Sequence, residues 1–260
     1  MTGREIYGKL NEIAPFAYAA DWDHSGVQVG SLDRTVHRIM LALDPTEDVI
    51  RQAVDAGVDL LITHHPLLFG GVRSITEETP VGRKIIRLLE NRICCIGMHT
   101  NADATLLAED AIERLGLDDV VVLDPAGMWE GIAFGYGRVG ELPAAMPLME
   151  CVDALKRAYN LPEVHIYGKT DDWIKRVAIL PGSGGDEIEE AIRLGADLYI
   201  TGDIKHHAGV DATECGIVVI DATHYGLEKV FPALLKERLE EQIPDIEILC
   251  ARETAPCVIQ

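Results

Sequence analysis

The chain has 260 residues, with 43 acidic and 23 basic side chains and a formal net charge of −20. A hydrophobic content of 48% is typical of a globular protein with a sizeable core and argues against intrinsic disorder. The apolar runs are too short to cross a bilayer, the N-terminus lacks the apolar core of a secretory signal, and the basic residues are scattered. We therefore expect a cytoplasmic protein without a membrane anchor or a nucleic-acid partner, because duplex binding depends on clustered basic residues.

Short apolar runs alternate with amphipathic segments in the first half of the chain. Three runs are typical of buried strands: residues 37–43, 59–63 and 92–98. Three segments place their apolar side chains on one helical face: residues 46–57, 80–91 and 104–116. Strands that alternate with helices predict an α/β fold with much parallel pairing.

An internal repeat divides the chain into two parts. Residues 48–63 align without a gap with residues 186–201, at a constant offset of 138, and eight of the sixteen positions are identical. Chance similarity of two amphipathic units is the alternative, but the shared Gly and Asp positions favour duplication. We therefore predict two similar α/β halves, residues 1–125 and 126–260, with a ligand site between them at the carboxyl ends of strands.

Histidines follow three of the predicted strands. His64 and His65 follow residues 59–63, His99 follows the 92–98 run, and His224 follows an apolar run in the second half. A carboxylate comes four residues after each of the last two, at positions suited to one helical face. The set therefore comprises four imidazoles and two carboxylates: His64, His65, His99, His224, Asp103 and Glu228.

Imidazole and carboxylate ligands together indicate a catalytic-type metal site that would suit Zn, Fe, Mn or Co. Six ligands exceed the needs of one tetrahedral ion and would serve two divalent ions. Such ions would also offset the repulsion that the acidic chain exerts on an anionic ligand. A single His-x3-carboxylate pair on its own is more typical of a structural or surface pair than of a metal site.

Further candidate residues follow strands in the second half. Ser183 and Gly184, within a Gly-Ser-Gly-Gly turn, would bind a phosphate through backbone N–H groups; a plain turn capped by Asp186 is the alternative. Asp203 and His207 would support the metal ligands or face the substrate. His37, His165 and the six cysteines, which form no CxxC pair, are expected to be neither ligands nor disulfides.

The order and spacing of six motifs resemble those of the NGG-interacting-factor-like (NIF-three-like) family of dinuclear metal-centre proteins, also called GTP cyclohydrolase I type 2 homologues. The motifs are DWDHSGVQVG, ITHHPLLFGG, GMHTNAD, GSGGD, ADLYITGDIKHH and DATHYGLE. The resemblance implies an α/β fold of two halves, a ring-like homohexamer and two divalent metals. The ligands that it implies are His64, His65, Asp103, His224 and a bridging Glu228, with His99 as a ligand or close neighbour.

One motif departs from the family pattern. Where the family usually has Asn, this sequence has His24, and Val27 stands where Leu is commoner. The resemblance places this loop beside the site, so His24 becomes a candidate substrate-binding residue.

Two functions fit these observations. The first is a metal-dependent hydrolase of cyclohydrolase or phosphoesterase type, acting on a nucleotide or another phosphate-bearing small molecule, with His99 or His207 transferring the proton. The second is a metal-binding regulatory or protein-interaction module without turnover.

Overall fold

The computed structural model describes residues 1–129 and 131–257, which are divided between two compact units. Unit one contains Met1–Leu106 and Phe231–Thr254, and unit two contains Leu107–Val230 with the tail after Thr254. Among the described residues, no helix is both long and apolar enough to cross a membrane.

The strands and helices alternate along much of the chain. The strands are β1 (Gly26–Val29), β2 (Arg38–Ala42), β3 (Leu60–Thr63), β4 (Cys94–Gly97), β5 (Asp118–Trp129), β6 (Ile132–Pro147), β7 (His165–Tyr167), β8 (Trp173–Ser183), β9 (Leu198–Gly202), β10 (Val218–Asp221) and β11 (Glu247–Cys250). The α-helices are α1 (Gly3–Ile13), α2 (Glu47–Asp55), α3 (Pro80–Glu90), α4 (Thr100–Ala102), α5 (Ala108–Leu115), α6 (Leu148–Tyr159), α7 (Ile188–Arg193), α8 (His206–Cys215), α9 (His224–Glu228) and α10 (Phe231–Gln242). A π-helical turn (Asp103–Leu107) links α4 to α5, and short 3-10 helices span Phe16–Tyr18 and Gly185–Glu187.

Local sequence determines where the helices of unit one begin. Thr46 caps α2 by accepting a hydrogen bond from the backbone N–H of Val49 (3.1 Å), and Thr79 caps α3 in the same way, with Pro80 in the first turn. Both helices, and all three predicted strands of the first half, are confirmed. The segment predicted as one helix over 104–116 contains the π-helical turn and then α5.

Unit one holds a five-stranded sheet in the order β1-β4-β3-β2-β11. The strands β11, β2, β3 and β4 pair in parallel, and β1 is antiparallel to β4. Every residue of β3 and β4 is buried, as expected for parallel strands covered on both faces.

Unit two holds a six-stranded sheet in the order β5-β6-β8-β9-β10-β7. The strands β8, β9 and β10 pair in parallel, whereas β7 is antiparallel to β10. The long antiparallel pair β5 and β6, which extends this sheet, was not predicted from the alternation of strands and helices. Together with β7, it makes the sheet mixed.

The first two parallel strands pair in the same register in both units. Ile39 pairs with Leu60 in unit one, and Val177 pairs with Leu198 in unit two, so the register of the first two parallel strands repeats at the offset of 138. In both sheets an antiparallel edge strand, β1 or β7, pairs with the third parallel strand. The α/β fold with two similar sheets is therefore confirmed, whereas the division into residues 1–125 and 126–260 stays a prediction.

One interaction between a loop carboxylate and the backbone is also repeated at that offset. Asp59 and Asp197, which precede β3 and β9, each accept hydrogen bonds through Oδ2 from two consecutive backbone N–H groups. The donors are His37 and Arg38 for Asp59 (2.7 and 3.1 Å), and Lys175 and Arg176 for Asp197 (2.9 and 2.8 Å). Each carboxylate thus joins two neighbouring strands at their amino ends, which explains why both copies of the repeat have Asp there.

Candidate metal centre

Unit one brings three of the predicted histidines together at the carboxyl ends of β3 and β4. His64 and His65 continue the ladder beyond β3, donating backbone hydrogen bonds to the carbonyl groups of Ala42 (3.1 Å) and Leu43 (2.9 Å). His99 lies two residues beyond β4. One ring nitrogen from each of these three histidines can be chosen so that all three atoms lie within 4.8 Å of one another. A set of imidazoles this close could hold a metal ion.

Asp103 adds a carboxylate to this group. Its Oδ1 lies 3.4 Å from Nε2 of His64, which is completely buried. Asp103 is the first residue of the π-helical turn, where one extra residue changes the direction of the side chains. Such turns are common at functional sites, and this one places a carboxylate beside buried imidazoles.

The Nδ1 atoms of the predicted histidines all contact oxygen acceptors. His64 donates to the carbonyl oxygen of Met98 (2.9 Å), His65 to Asp44 (2.8 Å), His99 to Asp23 (3.0 Å) and His224, in unit two, to Asp203 (2.8 Å). In a neutral imidazole whose Nδ1 carries the proton, the lone pair is on Nε2. This arrangement is typical of metal-ligating histidines, whose other ring nitrogen is oriented by an oxygen acceptor.

Asp23 organises the loop around His99. Its carboxylate accepts hydrogen bonds from Ser25 (2.7 Å), from the hydroxyl (2.6 Å) and backbone N–H (3.1 Å) of Thr100, and from the backbone of His24 (2.6 Å). Burial alone would raise the pKa of Asp23, but the hydrogen bonds from His99, Thr100 and Ser25 hold it well below its usual range. Asp23 is therefore ionised, and its charge fixes the orientation of the His99 ring.

Unit two places His224 and Glu228 at opposite ends of the short helix α9. Nε2 of His224 lies 2.9 Å from Oε2 of Glu228, whose side chain is only 2% exposed. Asp203 has a left-handed backbone (φ 59°) and accepts the hydrogen bond from His224. A Cβ atom at Gly182 would lie 2.5 Å from Oε1 of Glu228, so the space beside this carboxylate depends on glycine.

The strand-end residues of the two units are not equivalent in register. Thr63 pairs with Gly97 and Thr201 pairs with Asp221, so the structural counterpart of His99 is Thr223, not His224. The counterpart of His64 is Gly202, where a Cβ atom would clash with the backbone of His224. His99 and His224, which follow the third parallel strand of each unit, therefore differ by one residue in register.

Three of the remaining predicted residues are exposed. His24 and Ser183 are exposed, and His207 is exposed at the start of α8, with its ring 5.3 Å from that of His206. Gly184 accepts a hydrogen bond from the buried hydroxyl of Tyr199 (2.8 Å).

The turn that contains Ser183 and Gly184 is acidic. Burial, together with the nearby carboxylates of Asp124 and Asp186, raises the pKa of Glu187. Phosphate binding at this turn therefore stays a prediction.

Two functional candidates were missed at the sequence level. Asp44 lies two residues beyond β2, so the rule that ligands gather at the carboxyl ends of strands would have found it. Asp23 lies 76 positions before His99 in a loop, where only the Trp-Asp motif marks it.

Comparisons with known proteins agree with this fold. A family model described as Duf34/NIF3 (NGG1p interacting factor 3) matches residues 1–256. A Clostridium perfringens protein named GTP cyclohydrolase 1 type 2 homolog is 35% identical over 254 residues, which cover 96% of this chain and 95% of that protein.

Two solved structures are similar to the whole chain. A Bacillus cereus protein related to NIF3 superposes with a TM-score of 0.93 over 100% of this chain and 99% of its own. The two sequences are 22% identical, so this similarity is one of fold. Reduced HcgD from Methanocaldococcus jannaschii is 32% identical, with a TM-score of 0.81 and coverage of 96% and 97%. With the family model spanning nearly its whole length, the chain belongs to the DUF34/NIF3 family.

Proposed function

We propose that this protein binds two divalent metal ions and acts as a metal-dependent hydrolase on a nucleotide or another phosphate-bearing small molecule. The proposed ligands are His64, His65, Asp103, His224 and Glu228. Their donor atoms, imidazole nitrogen and carboxylate oxygen, suit Zn, Fe, Mn or Co.

The observation that carries this proposal is the shared orientation of four imidazoles. His64, His65, His99 and His224 each direct Nδ1 to a carbonyl or carboxylate oxygen at 2.8–3.0 Å. Histidines held only for packing have no reason to share one tautomer, whereas metal ligation through Nε2 requires it. The buried carboxylate of Glu228 adds support, because burying such a charge is costly unless cationic groups compensate for it.

The proposed chemistry divides between the metals and the chain. When bound, two divalent ions would act as Lewis acids and lower the pKa of water. His99 is suited to transfer a proton, because Asp23 fixes the orientation of its ring through the hydrogen bond to Nδ1. The name of the Clostridium perfringens relative, a GTP cyclohydrolase 1 type 2 homolog, supports a nucleotide as the substrate.

Metal content tests the proposal most directly. We expect metal-replete wild type to carry about two ions per chain, and Asp103→Ala, His64→Ala and Glu228→Gln each to lose at least one, measured by inductively coupled plasma mass spectrometry. His37→Ala is the matched control, because its side chain is 80% exposed and lies 3.8 Å from Asp59. Equal losses in Asp103→Ala and His37→Ala would refute the ligand assignment.

A hydrolysis screen over nucleotides and phosphoesters separates the enzyme from a regulatory module. We expect turnover by the metal-loaded wild type and its loss in the ligand variants. Full metal occupancy without turnover on any of these compounds would exclude this hydrolase and favour a metal-binding regulatory role.

A further inference from the structure

Two large aromatic side chains in unit one are exposed beside His99. Trp22 is 61% exposed and Phe69 is 64% exposed. Their ring centroids lie 6.3 Å apart with an angle of 44° between the planes. Each ring also contacts His99 in a nearly perpendicular arrangement, with centroid distances of 5.9 Å for Trp22 and 5.7 Å for Phe69.

The chain ties both rings to the candidate metal centre. Trp22 immediately precedes Asp23, whose carboxylate holds His99, and Phe69 comes four residues after His65. The ordered hydrogen bonds of Asp23 therefore also fix the backbone beside Trp22. Exposed aromatic side chains at a fixed position next to a polar site are typical of ligand-binding surfaces.

We propose that Trp22 and Phe69 form a stacking platform for the planar heteroaromatic ring of a nucleobase-type substrate. This inference rests on the proposed function, since it names the part of the substrate that unit one binds next to the metal centre. Aromatic side chains recognise bases through their π faces, and this interaction needs no positive charge on the protein.

The charge of the chain makes such a platform useful. At a net charge of −20, the protein offers little long-range attraction for an anionic substrate. Phosphate groups would depend on local cations, whereas a stacked ring gains affinity from dispersion and from the removal of apolar surface from water. Because the centroid of the His99 ring lies within 6 Å of both aromatic centroids, a base stacked on either ring would lie near the imidazole proposed to transfer a proton.

Calorimetric titration of the metal-loaded protein with three probes tests the platform. GTP has both a base and phosphates, tripolyphosphate has only phosphates, and guanosine has only the base and sugar. The variants are Trp22→Leu and Phe69→Leu, and the control is Trp173→Leu, because Trp173 is 67% exposed on β8 of unit two. All three side chains are largely exposed, so we expect the variants to fold.

We expect Trp22→Leu to weaken the binding of GTP and guanosine by about 10-fold or more, with a smaller loss for Phe69→Leu, while tripolyphosphate binding is unchanged. Trp173→Leu should bind all three probes as the wild type does. Unchanged GTP affinity in both Trp22→Leu and Phe69→Leu, with tripolyphosphate still bound, would overturn the platform and leave the proposed function standing.

Two other results also overturn the platform. If metal-loaded wild type binds none of the probes, both the platform and the nucleotide hydrolase are wrong. If Trp22→Leu changes the sedimentation coefficient but not the preference for GTP over tripolyphosphate, the two rings serve an interface between copies of the chain instead.

Discussion

The parallel strands of the two units pair in the same register, but the residues at the carboxyl end of the middle strand differ. After Thr63 come His64 and His65, whereas after Thr201 come Gly202 and Asp203 at the same offset of 138. The sequence is preserved where a side chain accepts backbone hydrogen bonds, as at Asp59 and Asp197. At the strand ends the ladder hydrogen bonds involve the backbone alone, so the side chains can change without breaking them. A duplicated fold can therefore hold an unsymmetrical set of candidate ligands.

The steric difference between the two strand ends predicts the largest effect. In Gly202→Ala the new Cβ atom would clash with the backbone of His224, which cannot move without displacing α9. We expect a loss of about 3 kcal/mol in the free energy of unfolding, measured by urea denaturation. Gly185→Ala is the control in the same unit, because its Cβ would lie 4.0 Å from the nearest atom, in Ile204. Equal stability of the two variants would contradict the steric explanation.

The repeated hydrogen bonds of Asp59 and Asp197 predict an intermediate loss of stability that is similar in both units. Asp59→Ala and Asp197→Ala each leave two backbone N–H groups without their carboxylate acceptor. Each should lower the free energy of unfolding by about 1–3 kcal/mol, and metal content should stay at the wild-type value. Asp55→Ala, an exposed position at the end of α2, should change stability by less than about 0.5 kcal/mol. A large effect at only one of the two aspartates would show that the repeated interaction does not stabilise the two units equally.

The sequence predicted those parts of the molecule that depend on local patterns. The helices α2 and α3, the buried strands and the internal repeat are all encoded within short windows. The unpredicted parts depend on contacts between distant segments. Asp23 reaches His99 across 76 positions, and the β5–β6 pair follows no strand–helix alternation.

The candidate centre shows the same division between local and distant information. The strand-end rule located His64, His65 and His99, which the structure brings together in unit one. It could not reveal that Thr223, not His224, is the counterpart of His99, because the register of β9 with β10 is set by tertiary pairing.

The third parallel strand predicts the smallest effect, and one that depends on pH. Cys95 on β4 is completely buried, and its counterpart by register on β10 is Val219. Because valine fits the equivalent position in unit two, Cys95→Val should lower the free energy of unfolding by less than about 1.5 kcal/mol at pH 8. Burial raises the pKa of Cys95 from an ordinary value of 9.0 to about 12. Between these values the unfolded chain loses the thiol proton while the folded chain keeps it, so stability falls as the pH rises.

The valine variant lacks this contribution to the pH dependence. From pH 8 to pH 10.5, wild type should therefore lose about 1–2 kcal/mol more unfolding free energy than Cys95→Val, measured by urea denaturation at both pH values. The other titrating groups are common to both proteins and cancel in the difference. Parallel losses in the two proteins would mean that the β4 thiol ionises in the folded state, and that β4 is less well shielded from water than its counterpart β10.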